Sequence, residues 1–309
     1  MQPTIYIPNF NGAERLGPVL RALDEQTTSC EVVLVDNGSA DDSVELARRE
    51  LPGVRIVELG ENLGFGRAIN RAVAEAPGDP LILLNNDAVP EPRFVEALLD
   101  GFGEGVDSVA GVLLQERSPE LIDSAGVVAD ATLMGFDYLH GEPVETADTA
   151  PPPLGPTGGA ALYRREVFEA VGGFDERIFL YYEDLDLALR LAGRGGGCRL
   201  APAARALHAY SASLGAASAG KYARTGWSRG YMLRRYGVMR SPGRALRALA
   251  CEGALCAGQL LRDRTPAGLK GRLRGWRDAS GLERRDLDGA PLLHLSAREA
   301  LALRRQRRG

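Results

Sequence analysis

Residues Glu31–Leu51 read EVVLVDNGSADDSVELARREL: four apolar side chains in a row between two acids, a polar turn, then an amphipathic run. An unbroken, β-branched apolar run suits a strand covered on both faces. Asn37 to Asp42 provide turn-forming and helix-capping side chains, and the apolar residues that follow recur at helical spacing. The same unit repeats on either side. TIYIP (Thr4–Pro8), VRIVEL (Val54–Leu59) and PLILLNND (Pro80–Asp87) are strand-like, whereas AERLGPVLRALDEQ (Ala13–Gln26) and GRAINRAVAEA (Gly66–Ala76) are helical. Such alternation implies right-handed crossovers and an α/β fold, a mostly parallel sheet with helices on both faces. In these sheets ligands sit beyond the carboxyl ends of the strands, here Pro8 and Asn9, Asp36, and Asn85 to Asp87.

Further along, EPRFVEALLDGF reads as a helix and SVAGVLL as a fifth strand. Ile122 to Pro156 is expected to be irregular, and the polar, proline-rich HGEPVETADTAPPPLGP within it to form a mobile loop or lid. Regular structure resumes with TGGAALYRREVFEAVGGFDE, a strand and a helix that stops at Gly172 and Gly173. With 309 residues, 45% of them apolar, the chain can build a sizeable core. MQPTIYIPNF shows neither a basic leader nor a cleavage site, no run of 18 apolar residues occurs, and the expected location is cytoplasmic. Cys30, Cys198, Cys251 and Cys256 form no C-x-x-C pair, as expected of reduced thiols rather than a zinc knuckle.

The net charge of −4 hides a division: residues 1–220 carry 16 basic and 34 acidic side chains, and residues 221–309 carry 21 and 7. The rise in arginine and glycine sets the expected domain boundary at 215/216, with a basic, mainly helical region behind it.

Two stretches carry candidate chemistry. LILLNND ends a strand in amides and a carboxylate. Asp87 there can hold a hard divalent cation, or the stretch can be an ordinary Asn-Asp turn. LYYEDLDLALR (Leu180–Arg190) crowds Glu183, Asp184 and Asp186 ahead of a helical apolar pattern. Carboxylates suit a helix N-terminus, Asp186 can pair with Arg190 one turn on, and either a capped helix or an active-site acid fits. Asp36 can accept from a ribose or base, as in nicotinamide dehydrogenases, or simply form a turn. Against a dehydrogenase, PNFNGAERLG lacks the G-x-G-x-x-G fingerprint, and GFGRAI (Gly64–Ile69) has two of three glycines after the wrong strand.

Taken in order, IPNFNG, VVLVDNGSADDS, ENLGFGRAIN, LILLNNDAVPEP, TGGAALYRREVFEAVGGFDERIFLYYEDLDLALR and His208 with AYSAS resemble the family-2 inverting glycosyltransferases of GT-A fold, in their bacterial rhamnosyltransferase-like branch. The resemblance covers about the first 215 residues. It implies transfer of a sugar, a deoxyhexose such as rhamnose, from a nucleotide diphosphate donor to a hydroxyl of a saccharide or lipid-linked saccharide. By resemblance Asp36 bonds the nucleotide base, with Pro8 and Asn9 in the same pocket. Asn62, Gly64 and Arg67 lie in a loop that closes on the nucleotide, and Asn85 and Asn86 contact the donor. Asp87 holds Mg2+ or Mn2+, and Asn85 stands where an aspartate often does. Asp184 matches the general base, Glu183 orients base or acceptor, and Asp186 is structural. His208, 24 residues after Asp184, matches a further metal ligand of some relatives. Gly158 and Gly159 allow close approach of substrate, Tyr181 and Tyr182 line the acceptor pocket or the core, and His140 and His294 have no role. The alternative is a non-catalytic protein that binds sugar nucleotides on the same fold.

In the tail, arginines interleave with Trp227, Tyr231, Tyr236 and Trp276. Peripheral contact with anionic lipid is one reading; helices that cover the domain edge or form a homodimer interface are the other. Nucleic acid is not an expected partner, because no nucleic-acid fold signature is present.

Overall fold

Alternate residues of the central strands go to opposite faces, and both faces are buried. The computed structural model describes residues 2–209, 218–287 and 289–306. Strands β1 (Thr4–Asn9), β2 (Glu31–Asp36), β3 (Arg55–Glu58) and β4 (Leu81–Leu84) form a parallel set in the order β3-β2-β1-β4. Ile5, Ile7, Leu34, Ile82 and Leu84 pack under helices α1 (Ala13–Asp24), α2 (Ser43–Glu50) and α4 (Phe94–Asp100). Tyr6, Val33, Val35, Leu81 and Leu83 pack on the other face, under α3 (Phe65–Glu75), α5 (Arg165–Ala170) and α6 (Glu183–Ala192).

Beyond β4 the sheet becomes mixed. The strand expected at SVAGVLL, β6 (Val106–Gln115), is present, but β10 (Ala160–Tyr163) lies between it and β4, antiparallel to both. The chain returns from an excursion at the carboxyl edge, so β10 has to run backwards. β11 (Gly197–His208) pairs parallel with β6, and the short β5 (Ala88–Pro90) pairs antiparallel with β11.

Of the irregular stretch expected over 122–156, the part up to residue 137 is instead regular, while 138–156 holds only one short 3-10 turn, Val144–Asp148. β7 (Ser118–Ser124) extends the sheet antiparallel to β6, and β8 (Val127–Ala129) and β9 (Gly135–Asp137) form a hairpin. Asp130 holds its turn by accepting from the Thr132 and Met134 amides and the Thr132 hydroxyl. Val127, Leu133, Met134 and Phe136 are buried by chain that arrives a hundred residues later.

The covering chain comprises α7 (Ala219–Arg235), α8 (Pro242–Asp263), α9 (Ala267–Asp278) and α10 (Ala297–Gln306). α7 and α9 cross so closely that a Cβ on Gly275 would stand 1.9 Å from the Trp227 carbonyl oxygen and one on Gly230 2.0 Å from that of Arg272. Arg229, fully buried, bonds Glu252 of α8 and the carbonyls of Thr132 and Leu133, and Arg272 of α9 takes the other Glu252 oxygen at 2.5 Å. Arg285 pairs with Asp186 and Asp175, and Arg247 with Asp130. The tail aromatics therefore face inward, contrary to a membrane-facing reading of them: Tyr231 and Tyr236 are buried, Trp227 stacks on Tyr231, and Trp276 packs against the same core. Among the described residues no helix is long and apolar enough to cross a membrane. Of AYSAS only Ala209 is described, and Arg307 and Arg308 lie outside the described residues.

Candidate active site

The loops beyond the carboxyl ends of β1 and β4, together with the start of α6, surround one cavity of about 730 Å³. Pro8, Asn9, Asn62, Gly64, Asn85, Asn86, Asp87, Glu183, Asp184 and His208 all line it, so residues nearly a hundred positions apart meet in one space. Gly158, Gly159, Tyr181 and Tyr182 join them.

On the strand side, Asn86 donates to Asn9 at 2.7 Å, and Asn9 in turn donates to Ser43 at 2.9 Å, which fixes both amides. His208, at the end of β11, is clamped between two carboxylates. Asp123 of β7 lies 2.6 Å from Nδ1, and Asp87 Oδ1 lies 3.4 Å from Nε2. The bond to Asp123 fixes the ring so that Nε2 faces Asp87, the arrangement by which a carboxylate orients a metal-binding imidazole. Burial works against a charge on His208, but Asp123 and Asp87 outweigh it and hold its pKa up to about 9. Burial likewise opposes the Asp123 charge, and the histidines 140 and 208 overcome it, which keeps that carboxyl well below the usual range. Once a cation displaces the Nε2 proton, Asp87 and His208 offer one oxygen and one nitrogen, 3.4 Å apart, a spacing a single divalent cation can share. Among the described residues no cluster of three or more His, Cys, Asp or Glu side chains completes a metal site, and further ligands would come from substrate or water.

On the helix side, Tyr181 and Tyr182 occupy left-handed backbone at φ 69° and 74°, ahead of Glu183. Two such residues in succession cost about 1–3 kcal/mol each and persist only where the surroundings impose them. Here α7 imposes them. Arg224 lies 4.6 Å over the Phe179 ring, Lys221 5.7 Å over Tyr181 and Arg229 5.6 Å over Tyr182, while the Ser228 hydroxyl donates to the Leu180 carbonyl at 3.3 Å. From the donor side, the Phe65 amide donates to the Phe179 carbonyl at 2.9 Å. Gly64, at φ 83°, permits that approach, since a Cβ there would stand 2.3 Å from the same oxygen.

The turn presents two carboxylates in different settings. Burial, and then Asp184 beside it, raise the Glu183 pKa; its Oε2 is buried with no hydrogen-bond partner among the described residues. Burial also raises Asp184, against donation from the Leu185 amide at 2.8 Å, the Gly158 amide and the Thr157 hydroxyl. Asp184 is half-buried and reaches the cavity as an oriented acceptor. Asp186 is turned away, paired with Arg190 at 2.8 Å as helical spacing predicts, and also held by Tyr236 and Arg285.

Two expected donor residues are not brought to the cavity wall. Arg67 sits on α3 two residues past Phe65, so it leaves on another side of the helix and lies 3.7 Å from Glu176. Asp36, buried, accepts from the Ser39 amide at 3.2 Å and shapes the turn, whereas the adjacent Asn37 lines the cavity. Sequence reasoning passed over Phe10, Asn37, Asp123, Lys221 and Arg224, all of which line the cavity. Phe10 and Asn37 adjoin residues already singled out; the other three had no motif around them.

Residues 4–172 match the model of glycosyl transferase family 2, and the chain belongs to that family. Two relatives place it more narrowly. It is 33% identical over 208 residues to the N-acetylglucosaminyl-diphospho-decaprenol L-rhamnosyltransferase of Mycobacterium tuberculosis, covering 60% of this chain and 68% of the relative. It is 26% identical to the O-antigen chain rhamnosyltransferase WbaN of Salmonella anatum, covering 62% and 61%. Among solved structures, the mannosyltransferase PcManGT from Pyrobaculum calidifontis, in complex with GDP-Man and Mn2+, superposes with a TM-score of 0.54 at 18% identity over 90% of this chain and 86% of that one. The protein is a glycosyltransferase of GT-A fold in the rhamnosyltransferase-like branch of family 2.

Proposed function

We propose that the protein transfers a deoxyhexose such as rhamnose from a nucleotide diphosphate donor to a hydroxyl of a lipid-linked saccharide, with inversion at the anomeric carbon. The observation that carries this reading is that Asp87 with His208, and Glu183 with Asp184, line one and the same cavity at the carboxyl edge of the sheet. The donor's nucleoside seats against Pro8, Phe10 and Asn37, with Asp36 ordering the turn behind them. Asn9, Asn85 and Asn86 offer amides to sugar and phosphate oxygens, and Asn62 and Gly64 close the loop above. A divalent cation such as Mn2+ or Mg2+ held by Asp87 and His208 would offset the charge of the diphosphate. Asp184 accepts the proton of the acceptor hydroxyl as its oxygen attacks the anomeric carbon, while the bond from that carbon to the diphosphate oxygen breaks on the opposite face and the nucleoside diphosphate leaves. A carboxylate is a weak base for an alcohol, so orientation by the Leu185 and Gly158 amides supplies much of the effect. Glu183 keeps the base and the acceptor in line. Lys221 and Arg224 bring positive charge to the acceptor side, which suits a diphosphate-bearing lipid carrier such as the one in the mycobacterial relative's name. The reading carries with it a cytoplasmic site at the inner face of a membrane.

Thermal denaturation with UDP-, GDP- and dTDP-sugars, each with and without Mn2+, tests the donor side. One donor is expected to raise the midpoint in a metal-dependent way, by about 2.7 kcal/mol of stability at a hundredfold excess over its Kd. If no nucleotide diphosphate sugar shifts it under either condition, the donor site is misassigned.

A further inference from the structure

The outer surface of the C-terminal helices differs from the rest of the molecule. Among the described residues, large apolar side chains open to solvent occur, apart from Phe10 at the cavity, only in α8, α9 and α10. On α8, Leu246, Leu249, Leu260 and Leu261 are 73%, 61%, 55% and 82% exposed. The exposed positions between them are Ala250, Gly253, Ala254 and Ala257, at steps of three and four, so one face stays apolar and uncharged for about four turns. The opposite face, with Ala248, Cys251, Glu252 and Gln259, is buried against the protein. α9 adds Leu269 and Leu273.

Charge decides what covers this face. Arg244 precedes it, and Arg262 and Arg264 follow it, all exposed. The acids of α8 do not balance them in full: Glu252 is enclosed by Arg229 and Arg272, which leaves Asp263, bonded by the Tyr222 hydroxyl at 2.7 Å, as one carboxylate against three exposed arginines. A second copy docked through the same face would set arginine-tipped helix ends against each other, whether the two helices ran parallel or antiparallel. Among the described residues no helix qualifies as a membrane span. We propose that α8 lies flat in the interface of a bilayer containing anionic lipid, its leucines among the acyl chains and its terminal arginines against lipid phosphates. This replaces the inward-facing tail aromatics with a different set of membrane-contacting residues.

The surface is mechanically joined to the active site. Glu252 of α8 is the shared partner of Arg229 on α7 and Arg272 on α9, and the first turns of α7 carry Lys221 and Arg224 into the cavity wall. Docking α8 therefore sets the height of the acceptor side of the cavity above the headgroups, where the carrier diphosphate of a lipid-linked acceptor lies. In that respect the inference deepens the proposed function, but its test needs no sugar transfer.

The full chain is sedimented with vesicles of phosphatidylcholine alone and of phosphatidylcholine mixed with phosphatidylglycerol, at low and high salt. It is expected to partition about tenfold better onto the anionic vesicles, and less at high salt. Leu249→Ser with Leu260→Ser should lower partitioning about tenfold with an unchanged thermal midpoint, because both side chains are already in water. Arg244→Gln with Arg262→Gln should remove the preference for anionic lipid while leaving the weaker neutral binding. Wild-type protein that stays in the supernatant with both vesicles overturns the proposal. So does a dimer in sedimentation velocity that the two serines dissociate, which would assign the face to a second copy. A donor-induced thermal shift kept by the serine variant separates failure here from failure of the donor site.

Discussion

The two sides of the cavity are built in opposite ways. Asn9, Asn85, Asn86 and Asp87 stand at or within three residues of the end of a strand buried on both faces, and the Asn86 and Asn9 amides bond each other across adjacent loops. Glu183 and Asp184 follow a left-handed turn that has no local reason to form. It exists because α7, from the far end of the chain, presses Arg224, Lys221, Ser228 and Arg229 onto residues 179–182. One side follows from strand geometry, while the other depends on a distant helix. Damage to the tail should therefore act on the acceptor carboxylates and spare the donor side.

The largest effect is expected at the base itself. Asp184→Asn keeps the shape and its backbone donors but cannot take a proton, so turnover should fall by about two to four orders of magnitude. Donor binding, read by the metal-dependent thermal shift, should be unchanged; turnover near the wild-type value would remove Asp184 from the mechanism. Next comes the prop behind the helix side. Glu252→Gln leaves Arg229 buried without its counter-charge, and the expected loss is about 3–5 kcal/mol in chemical denaturation. The same group predicts a pH dependence. Burial opposes its ionisation, but Arg229 and Arg272 prevail and hold the carboxyl down to about 2. Its contribution is thus complete above the unfolded value of about 4.3 and disappears as pH falls from there toward 2. Wild type should show this acid-side loss of stability and Glu252→Gln should show less of it.

How far the sequence disclosed each side follows the same division. PLILLNND placed Asp87 because a strand end is a local feature, and helical spacing gave the Asp186–Arg190 pair and the apolar pattern of α6, which in the fold serves two cores rather than one. Leu187 and Leu191 pack on the sheet, and Leu185 and Leu189 under the tail helices. Asp123 was invisible because it lies where β7 pairs with β6 through register shifts, in a stretch without a clean period of two. The hairpin at 127–137 read as irregular because the residues that bury it come from α8, α10 and the segment near Leu293. Arginine and aromatic content in the tail left lipid contact, a dimer interface and cover of the domain edge all open, and Arg229, Arg272 and Arg285 prove to be internal partners of acids that no spacing rule connects to them.

A smaller effect should sharpen the strand side. Asp123→Asn removes the carboxylate that fixes the His208 ring while leaving Asp87 in place, so Mn2+ affinity should drop about 10–100-fold. Electron paramagnetic resonance titration of Mn2+ measures this without turnover, and unchanged affinity would mean that His208 does not bind the ion.

The smallest expected effect separates Glu183 from its neighbour. Burial and the adjacent Asp184 raise its pKa in the folded protein, whereas in the unfolded chain it ionises near the ordinary value of about 4.3. The sign is opposite to that of Glu252. Below about 4.3 both states hold the proton and nothing is lost, but as pH rises the unfolded chain releases a proton that the fold retains, and stability declines. Glu183→Gln cannot ionise, so its thermal midpoint should match wild type near pH 4 and exceed it increasingly toward pH 8, by roughly 2–4 °C for each kcal/mol recovered. A stability difference that is the same at both pH values would mean that Glu183 carries its charge in the fold as easily as in water. The turn would then have no electrostatic cost for α7 to offset, and the contrast between the two sides of the cavity would reduce to backbone geometry alone.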